Sequence, residues 1–429
     1  MDINKIITGR CEEVLKTFPD NFFDSCVTDP PYGISFMNKH WDYAIPPVST
    51  WQEVYRVLKP GAHILVACGT RTQHRMAVNI EDAGFEIRDV ISWIYGQGFP
   101  KSLDISKAID KLNGVEREVI AVKETKSGGM ARVNKANKDQ GFRPNNYNEH
   151  GNTFEVTAPA TDAAKQYDGY GTALKPATEF WTLARKPISE DTIAANVLKH
   201  GTGGLNIDAC RIPFANEDDQ QSAVWGRGTD ILSGNYVGAQ HGNGKENIEA
   251  NPKGRFPANV VLDEFAGKLL DEQSGQLTSG TLSGQIRSQA NTYGTPTDDP
   301  HFFAGDSGGA SRFFYCAKAG RSERNKGLEK FQIKPLLWSS GSKNAGSFQH
   351  ENTNKTSQNN HPTVKPIELM RWLIKLITPQ KGIVLDPFAG SGSTCIGAKL
   401  ELMNYAGIEM NEDYCKIAEA RIAAWNPER

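Results

Sequence analysis

The segment from Gly382 to Glu409 constrains the fold more than any other part of this chain. Gly382-Ile383-Val384-Leu385 is a short apolar run that leads straight into Asp386-Pro387-Phe388-Ala389-Gly390-Ser391-Gly392-Ser393-Thr394, and Cys395 to Leu402 then reads as a helix. The order is strand, glycine loop, helix. Glycines let the backbone approach a ligand closely, and the N–H groups that open the following helix favour an electron-rich group there. A second apolar run, Tyr405-Ala406-Gly407-Ile408, ends in Glu409, which lies 19 residues after Gly390. That is close to the spacing of roughly 20 at which an acid of a Rossmann-type unit receives ribose hydroxyls. Phe388 stands where a dinucleotide fingerprint has its first glycine, and the loop holds no basic residue. The ligand expected is a nucleoside with a neutral or zwitterionic tail rather than a pyrophosphate.

Two strand-helix units, 383–402 and 405–424, cannot form a covered sheet by themselves. The first hundred residues offer the missing strands: Lys5 to Thr8, Phe23 to Thr28, His63 to Cys68 and Val90 to Tyr95, with helices expected over Cys11 to Lys16, Val48 to Leu58 and Thr72 to Ala83. Such alternation predicts an α/β fold, a mostly parallel Rossmann-like sheet with helices on both faces. The simplest completion puts the last strands of the sequence in the middle of the sheet begun by the first. Loops at neighbouring carboxyl ends then share a crevice, where ligands bind in open α/β sheets.

One such loop is Asp29-Pro30-Pro31-Tyr32, which follows the apolar run Phe22 to Val27. Proline fixes φ and carries no N–H, so Pro30 and Pro31 make a stiff turn with free carbonyl oxygens, flanked by an acid and an aromatic ring. That arrangement suits a flat aromatic amine. Taken alone, the tetrapeptide reads more readily as an ordinary strand-to-turn junction with a helix-capping Asp.

Together the two loops resemble the S-adenosylmethionine-dependent DNA amino-methyltransferases, in particular the permuted class in which D-P-P-Y precedes the cofactor loop F-x-G-x-G. His361-Pro362-Thr363-Val364-Lys365-Pro366 is similar to the H-P-T-x-K-P element of that family. Softer matches at Leu174 to Ala177, Gly203 to Cys210 and Arg312 to Lys318 are of the kind seen in phage and mobile-element members. The resemblance implies that Asp29, Pro30, Pro31 and Tyr32 are catalytic. It further implies that Phe388, Ala389, Gly390, Ser391 and Gly392 shape the methionine and ribose site, with Asp386 receiving the methionine ammonium and Glu409 the ribose hydroxyls. Thr363 and Lys365 would lie at the cofactor end, and no metal is needed. The implied reaction is methyl transfer to adenine N6 in duplex DNA. Relatives acting on cytosine N4 usually carry Ser where this chain has Asp29; cytosine and a catalytically idle DNA-binding module are the alternatives, beside an RNA or small-molecule substrate. Many relatives have G-D-C after the first strand, whereas this chain has Gly9-Arg10-Cys11, so its adenine contact is not carried over.

The chain of 429 residues exceeds one typical domain. Residues 1–100 are expected to form the first part of the catalytic core, 356–429 the second, and 101–355 a loop-rich target-recognition insertion. The middle is rich in Gly, Asn, Gln, Ser and Thr, above all across 216–310 and 339–360, where long loops that order on binding are expected. Apolar islands at Phe180 to Ala184, Thr192 to Leu198, Phe256 to Leu262 and Arg312 to Ala317 interrupt it. A formal net charge of −2 gives no global attraction for nucleic acid, so DNA affinity has to come from a local patch. Between Ser311 and Ala345, eight Lys and Arg face two acids, and aromatic residues interleave. Arg312, Lys318, Arg321, Arg324 and Lys326 are the candidate phosphate contacts; the bland alternative is a solvated face. Seven cysteines without a C-x-x-C pair argue against a zinc knuckle or a disulfide framework. No secretory signal or membrane span is evident, so a cytoplasmic protein is expected, with a homodimer and a cognate restriction endonuclease as further candidate partners.

Overall fold

A strand buried at every position belongs in the interior of a parallel sheet, and Phe23–Thr28 has that character. The computed structural model describes residues 3–34, 43–96, 102–124, 153–222, 250–278, 282–285, 300–303, 307–317, 322–335, 356–361 and 363–427. The strands that matter here are β1 (Lys5–Thr8), β2 (Phe23–Thr28), β3 (Leu58–Gly69), β4 (Glu86–Ile94), β5 (Thr178–Arg185), β6 (Val260–Asp263), β7 (Tyr315–Ala317), β8 (Ile383–Asp386) and β9 (Asn404–Glu409). The helices are α1 (Val48–Val57), α2 (Gln73–Asp82), α3 (Ile193–His200), α4 (Glu264–Ser274), α5 (Ile367–Ile377), α6 (Ser393–Leu400) and α7 (Glu412–Ala424). None of the described helices is long and apolar enough to cross a membrane.

The chain divides into two compact units, one of Met1–Leu205 with Lys318–Arg429 and one of Asn206–Ala317. In the first unit the strands lie in the order β1-β9-β8-β2-β3-β5-β4. β8 pairs in parallel with both β2 and β9, so the last strands of the sequence do stand in the middle of a sheet begun by the first. β5 runs antiparallel to β3 and β4. Leu385 lies opposite Cys26 and Asp386 opposite Gly407, which brings the loops after β2, β8 and β9 to one edge.

Burial of the side chains between sheet and helices holds this arrangement. Phe23, Trp51, Leu58, Ile64, Met76, Leu385 and Ala406 belong to one buried cluster, and each large apolar side chain so buried contributes roughly 1.5–3 kcal/mol. α5 is apolar around most of its circumference and buries Ile367, Leu369, Met370, Leu373 and Ile374. α7 is capped by Asn411, whose side chain accepts from the N–H groups of Asp413 and Tyr414 at 2.9 and 3.1 Å.

Two expectations need correction. The core does not stop near residue 100 and resume near 356: β5, placed in the insertion by its sequence neighbours, is paired along its length with β3 and β4. Its residues Trp181, Leu183 and Ala184 are buried in the core, and an apolar island of that length is a strand when a sheet edge is available to it. The inserted unit is accordingly the shorter Asn206–Ala317. Helix Cys11 to Lys16 is also shorter than its pattern suggests, an α-turn at Cys11–Val14 that tightens into a 3₁₀ turn at Leu15–Thr17.

The second unit contains the parallel pair β6 and β7 with α4. Asp219 binds Arg255 at 2.7 Å and Arg312 at 3.2 Å, and Phe214 and Phe313 lie 4.8 and 5.0 Å from the Arg255 guanidinium. Much of 216–310 and 339–360 lies outside the described residues.

Candidate active site

The glycine loop adopts its shape because two of its residues take left-handed backbone angles, φ +52° at Gly390 and +79° at Gly392. A Cβ at Gly390 would meet His361 Nε2 at 2.7 Å, and one at Gly392 would meet Ala418 Cβ at 3.1 Å. Only glycine satisfies both conditions. The Gly390 N–H donates to Glu409 Oε2 at 3.0 Å, and the Asn411 N–H donates to Glu409 Oε1 at 2.8 Å, which fixes the acid that ends β9 beneath the loop. Burial raises the Glu409 carboxyl to about 7. Asp386, at the end of β8, accepts from Thr28 Oγ1 at 2.6 Å and from the Phe388 N–H at 3.1 Å. It is 2 % exposed, and burial pushes its carboxyl up to about 6. Phe388 packs against the core, with its ring 6.4 Å from that of Trp51.

Asp29 follows β2 directly, with Pro30 buried behind it. The Tyr32 hydroxyl donates to Asp29 Oδ1 at 2.7 Å, and its ring lies against Gly69, where a Cβ would stand 3.2 Å from Cδ2. Lys365, in the H-P-T-V-K-P element, reaches across from the start of α5. Its Nζ lies 2.8 Å from Asp29 Oδ2, 3.0 Å from Glu179 Oε2 and 3.1 Å from Tyr32 Oη. Burial alone would depress this lysine, but the Asp29 and Glu179 carboxylates outweigh it and raise the ammonium above the ordinary lysine value.

His361 Nδ1 donates to the Thr363 carbonyl, and its ring packs edge-on against Tyr414 at 4.6 Å. Burial lowers this imidazole to about 4, which leaves it neutral, with Nε2 facing Gly390. One cavity is lined by Asp29, His361, Thr363, Lys365, Asp386 and Ser391 among others, so all three sequence motifs contribute to it.

The candidate phosphate contacts fare differently. Arg312 is 10 % exposed and engaged with Asp219 and the Gly309 carbonyl. Arg324 donates to the backbone carbonyls of Asn359 and His361 and so braces the H-P-T-V-K-P element. Lys326 is exposed, with Nζ 3.8 Å over the Trp425 ring. Lys318 and Arg321 lie outside the described residues. Arg10 is 63 % exposed and 3.7 Å from Glu12.

Two residues of the site are absent from the sequence reading. Glu179, the second residue of β5, lies opposite Gly69 at the end of β3, because an antiparallel strand brings its first residues to the edge where parallel strands finish. A lone acid before the island Phe180 to Ala184 was the available signal. Arg421 is fully buried in α7, and its guanidinium donates to the carbonyl and hydroxyl of Ser391; only an arginine on an otherwise buried helix face marked it.

A mostly parallel sheet with a glycine loop, a strand-end acid beneath it and D-P-P-Y beside it is a Rossmann-like arrangement, with its loops gathered where ligands of open α/β sheets bind. The chain matches the DNA methylase family over residues 23–420, and it belongs to that family. It is 42% identical over 82 residues to the type II methyltransferase M.HindIII of Haemophilus influenzae, covering 18% of this chain and 26% of that one. It is 41% identical over 66 residues to the type II methyltransferase M2.DpnII of Streptococcus pneumoniae, covering 15% and 25%. The matched stretches thus span about a quarter of these relatives. Among solved structures, the cytosine-N4-specific PvuII DNA methyltransferase aligns at a TM-score of 0.40 and 13% identity, over 97% of this chain and 85% of that one.

Proposed function

We propose that this chain transfers a methyl group from S-adenosylmethionine to the N6 amino group of adenine in duplex DNA. The observation that carries the reading is the common cavity of Asp29, Lys365 and Asp386, formed by the ends of adjacent strands β2 and β8. The site's chemistry fits the cofactor. Asp386 is a buried acid whose charge a neighbouring ammonium would stabilise, Glu409 can accept from ribose hydroxyls, and Gly390 and Gly392 leave backbone in place of side chains. Thr363 and Lys365 would close over the methionine end. When bound, the cofactor supplies an electrophilic methyl on a sulfonium.

The protein's own task is to make an amino group nucleophilic. The lone pair of an exocyclic amine is delocalised into its ring, and accepting both N–H groups turns the nitrogen pyramidal. Asp29 takes one N–H and the Pro30 carbonyl the other, while Tyr32 stacks on the base. The base must leave the helix, at a cost of a few kcal/mol that stacking offsets. Asp29 at the first position of the tetrapeptide, rather than Ser, supports adenine over cytosine. The unit Asn206–Ala317 is the element we assign to reading the target sequence, since base edges call for polar side chains on loops.

Incubating the protein with methyl-labelled cofactor and unmodified duplex DNA, then hydrolysing to nucleosides, tests this. N6-methyladenine is the expected product; N4-methylcytosine would reverse the base assignment, and unlabelled nucleosides would refute the activity.

A further inference from the structure

An amino group docking on Asp29 meets a carboxylate whose two oxygens already hold donors. Tyr32 Oη donates to Oδ1 at 2.7 Å and Lys365 Nζ to Oδ2 at 2.8 Å. Each donor has a second acceptor within reach, and it is the same atom. Glu179 Oε2 lies 3.2 Å from Tyr32 Oη and 3.0 Å from Lys365 Nζ. A phenol has a single hydrogen, so the Tyr32 hydroxyl can serve Asp29 or Glu179 in turn. An ammonium has three, and those of Lys365 face Asp29 Oδ2, Glu179 Oε2 and Tyr32 Oη. Lys365 is 7 % exposed. Without Glu179 its buried charge would rest on Asp29 alone, where weak screening strengthens the pair and leaves the carboxylate a poorer acceptor for anything else.

We propose that Glu179 is a positioning residue for the methyl transfer, receiving the Tyr32 hydroxyl and the Lys365 ammonium as the target amino group docks on Asp29. The exchange moves hydrogen bonds only; no covalent bond forms or breaks. Glu179 acts through Lys365 and Tyr32 and need not touch the base. The inference rests on the reading of Asp29 as the amino-group acceptor.

The test compares the Glu179→Gln and Glu179→Asp variants with wild type and with Asp29→Ala. For each, kcat on unmethylated duplex, the dissociation constant for S-adenosylmethionine and the melting temperature are measured. Glu179→Gln keeps the shape and removes the charge, so kcat should fall by about tenfold or more while cofactor affinity stays within about twofold. Glu179→Asp should recover most of the loss, because it restores a carboxylate able to receive the Tyr32 hydroxyl and the Lys365 ammonium. The inference is overturned if the kcat loss in Glu179→Gln is smaller than about tenfold, or if it is matched by a parallel loss of cofactor affinity or melting temperature. It is equally overturned if Glu179→Asp is no better than Glu179→Gln. An active Asp29→Ala would instead sink the reading beneath it, a result separable from any outcome at Glu179.

Discussion

Arg421 Nη1 donates to the Ser391 carbonyl and, at 2.9 Å, to the Ser391 hydroxyl, so that a fully buried guanidinium in α7 holds the middle of the glycine loop. Burial depresses this group to about 10, and its other contacts are the Ser393 hydroxyl at 3.4 Å and the Glu323 carbonyl at 3.4 Å. Arg421→Met fills the space and removes the donors, leaving buried acceptors unsatisfied. It should destabilise the protein by roughly 2–4 kcal/mol, since hydrogen bonds to a charged group contribute about 1.5–3 kcal/mol each and do not add fully. Urea unfolding of both proteins measures it. A change under about 0.5 kcal/mol would mean that the loop holds its shape without the arginine.

Asp29→Ala should lower kcat by at least about a hundredfold while leaving the cofactor dissociation constant within about threefold, because the carboxylate acts on the target amino group. The folded state should survive, since Lys365 keeps Glu179 at 3.0 Å as its partner. Single-turnover methylation together with calorimetric titration of S-adenosylmethionine separates the two effects, and near-normal turnover would remove Asp29 from the mechanism.

Glu409 gives the site a pH dependence whose sign is fixed by its environment. Burial raises its carboxyl from 4.5 to about 7, and the same cause raises Asp386 from 3.8 to about 6. For the free protein, the stability linked to these groups is complete below their unfolded values and is lost as pH rises through about 6 and then about 7. The melting temperature without cofactor should therefore decline from pH 5 to pH 8, and less steeply in Glu409→Gln. Cofactor affinity should move the other way, because ribose hydroxyls bond best to the ionised carboxylate. Glu409→Ala should weaken binding at pH 8 by about 1–3 kcal/mol. A cofactor affinity that is flat with pH in the wild type would place the ribose elsewhere.

What could be read from the sequence followed from local pattern. Ile383–Asp386 and Phe23–Thr28 announce strands because they are apolar runs bounded by turn residues, and Gly390 and Gly392 announce a loop because only glycine adopts their angles without strain. The pairing of β8 with β2 was accessible too, since two strand-helix units at the end of a chain have no covered sheet without a partner. What pattern does not encode is direction and reach. β5 joins the core sheet antiparallel from within a polar region, and only that reversal brings Glu179 to the site. Basic residues between Arg312 and Lys326 counted as one patch in sequence, yet Arg312 turns to Asp219 and Arg324 to backbone carbonyls. Charge counts along a chain carry no information about which guanidinium finds an internal partner.

Arg324 and Lys326 stand two residues apart and should separate architecture from DNA contact. Lys326 is exposed and rests over Trp425, whereas Arg324 donates to the carbonyls of Asn359 and His361 next to the cavity. Lys326→Glu should weaken duplex binding and lower the log-log salt slope by roughly 0.9 for a lost phosphate contact, with the methylated sequence unchanged, because phosphate contacts position without specifying. Its effect on stability should stay below about 1 kcal/mol, the scale of an exposed cation–π pair. Arg324→Glu should instead reduce cofactor affinity and melting temperature, since an acid facing two carbonyls displaces His361 from Gly390. Duplex affinity across a salt series, alongside calorimetric cofactor titration, distinguishes the two variants. An unchanged salt slope for Lys326→Glu would mark that lysine as part of a solvated face, and wild-type cofactor binding by Arg324→Glu would show that the brace on His361 is dispensable.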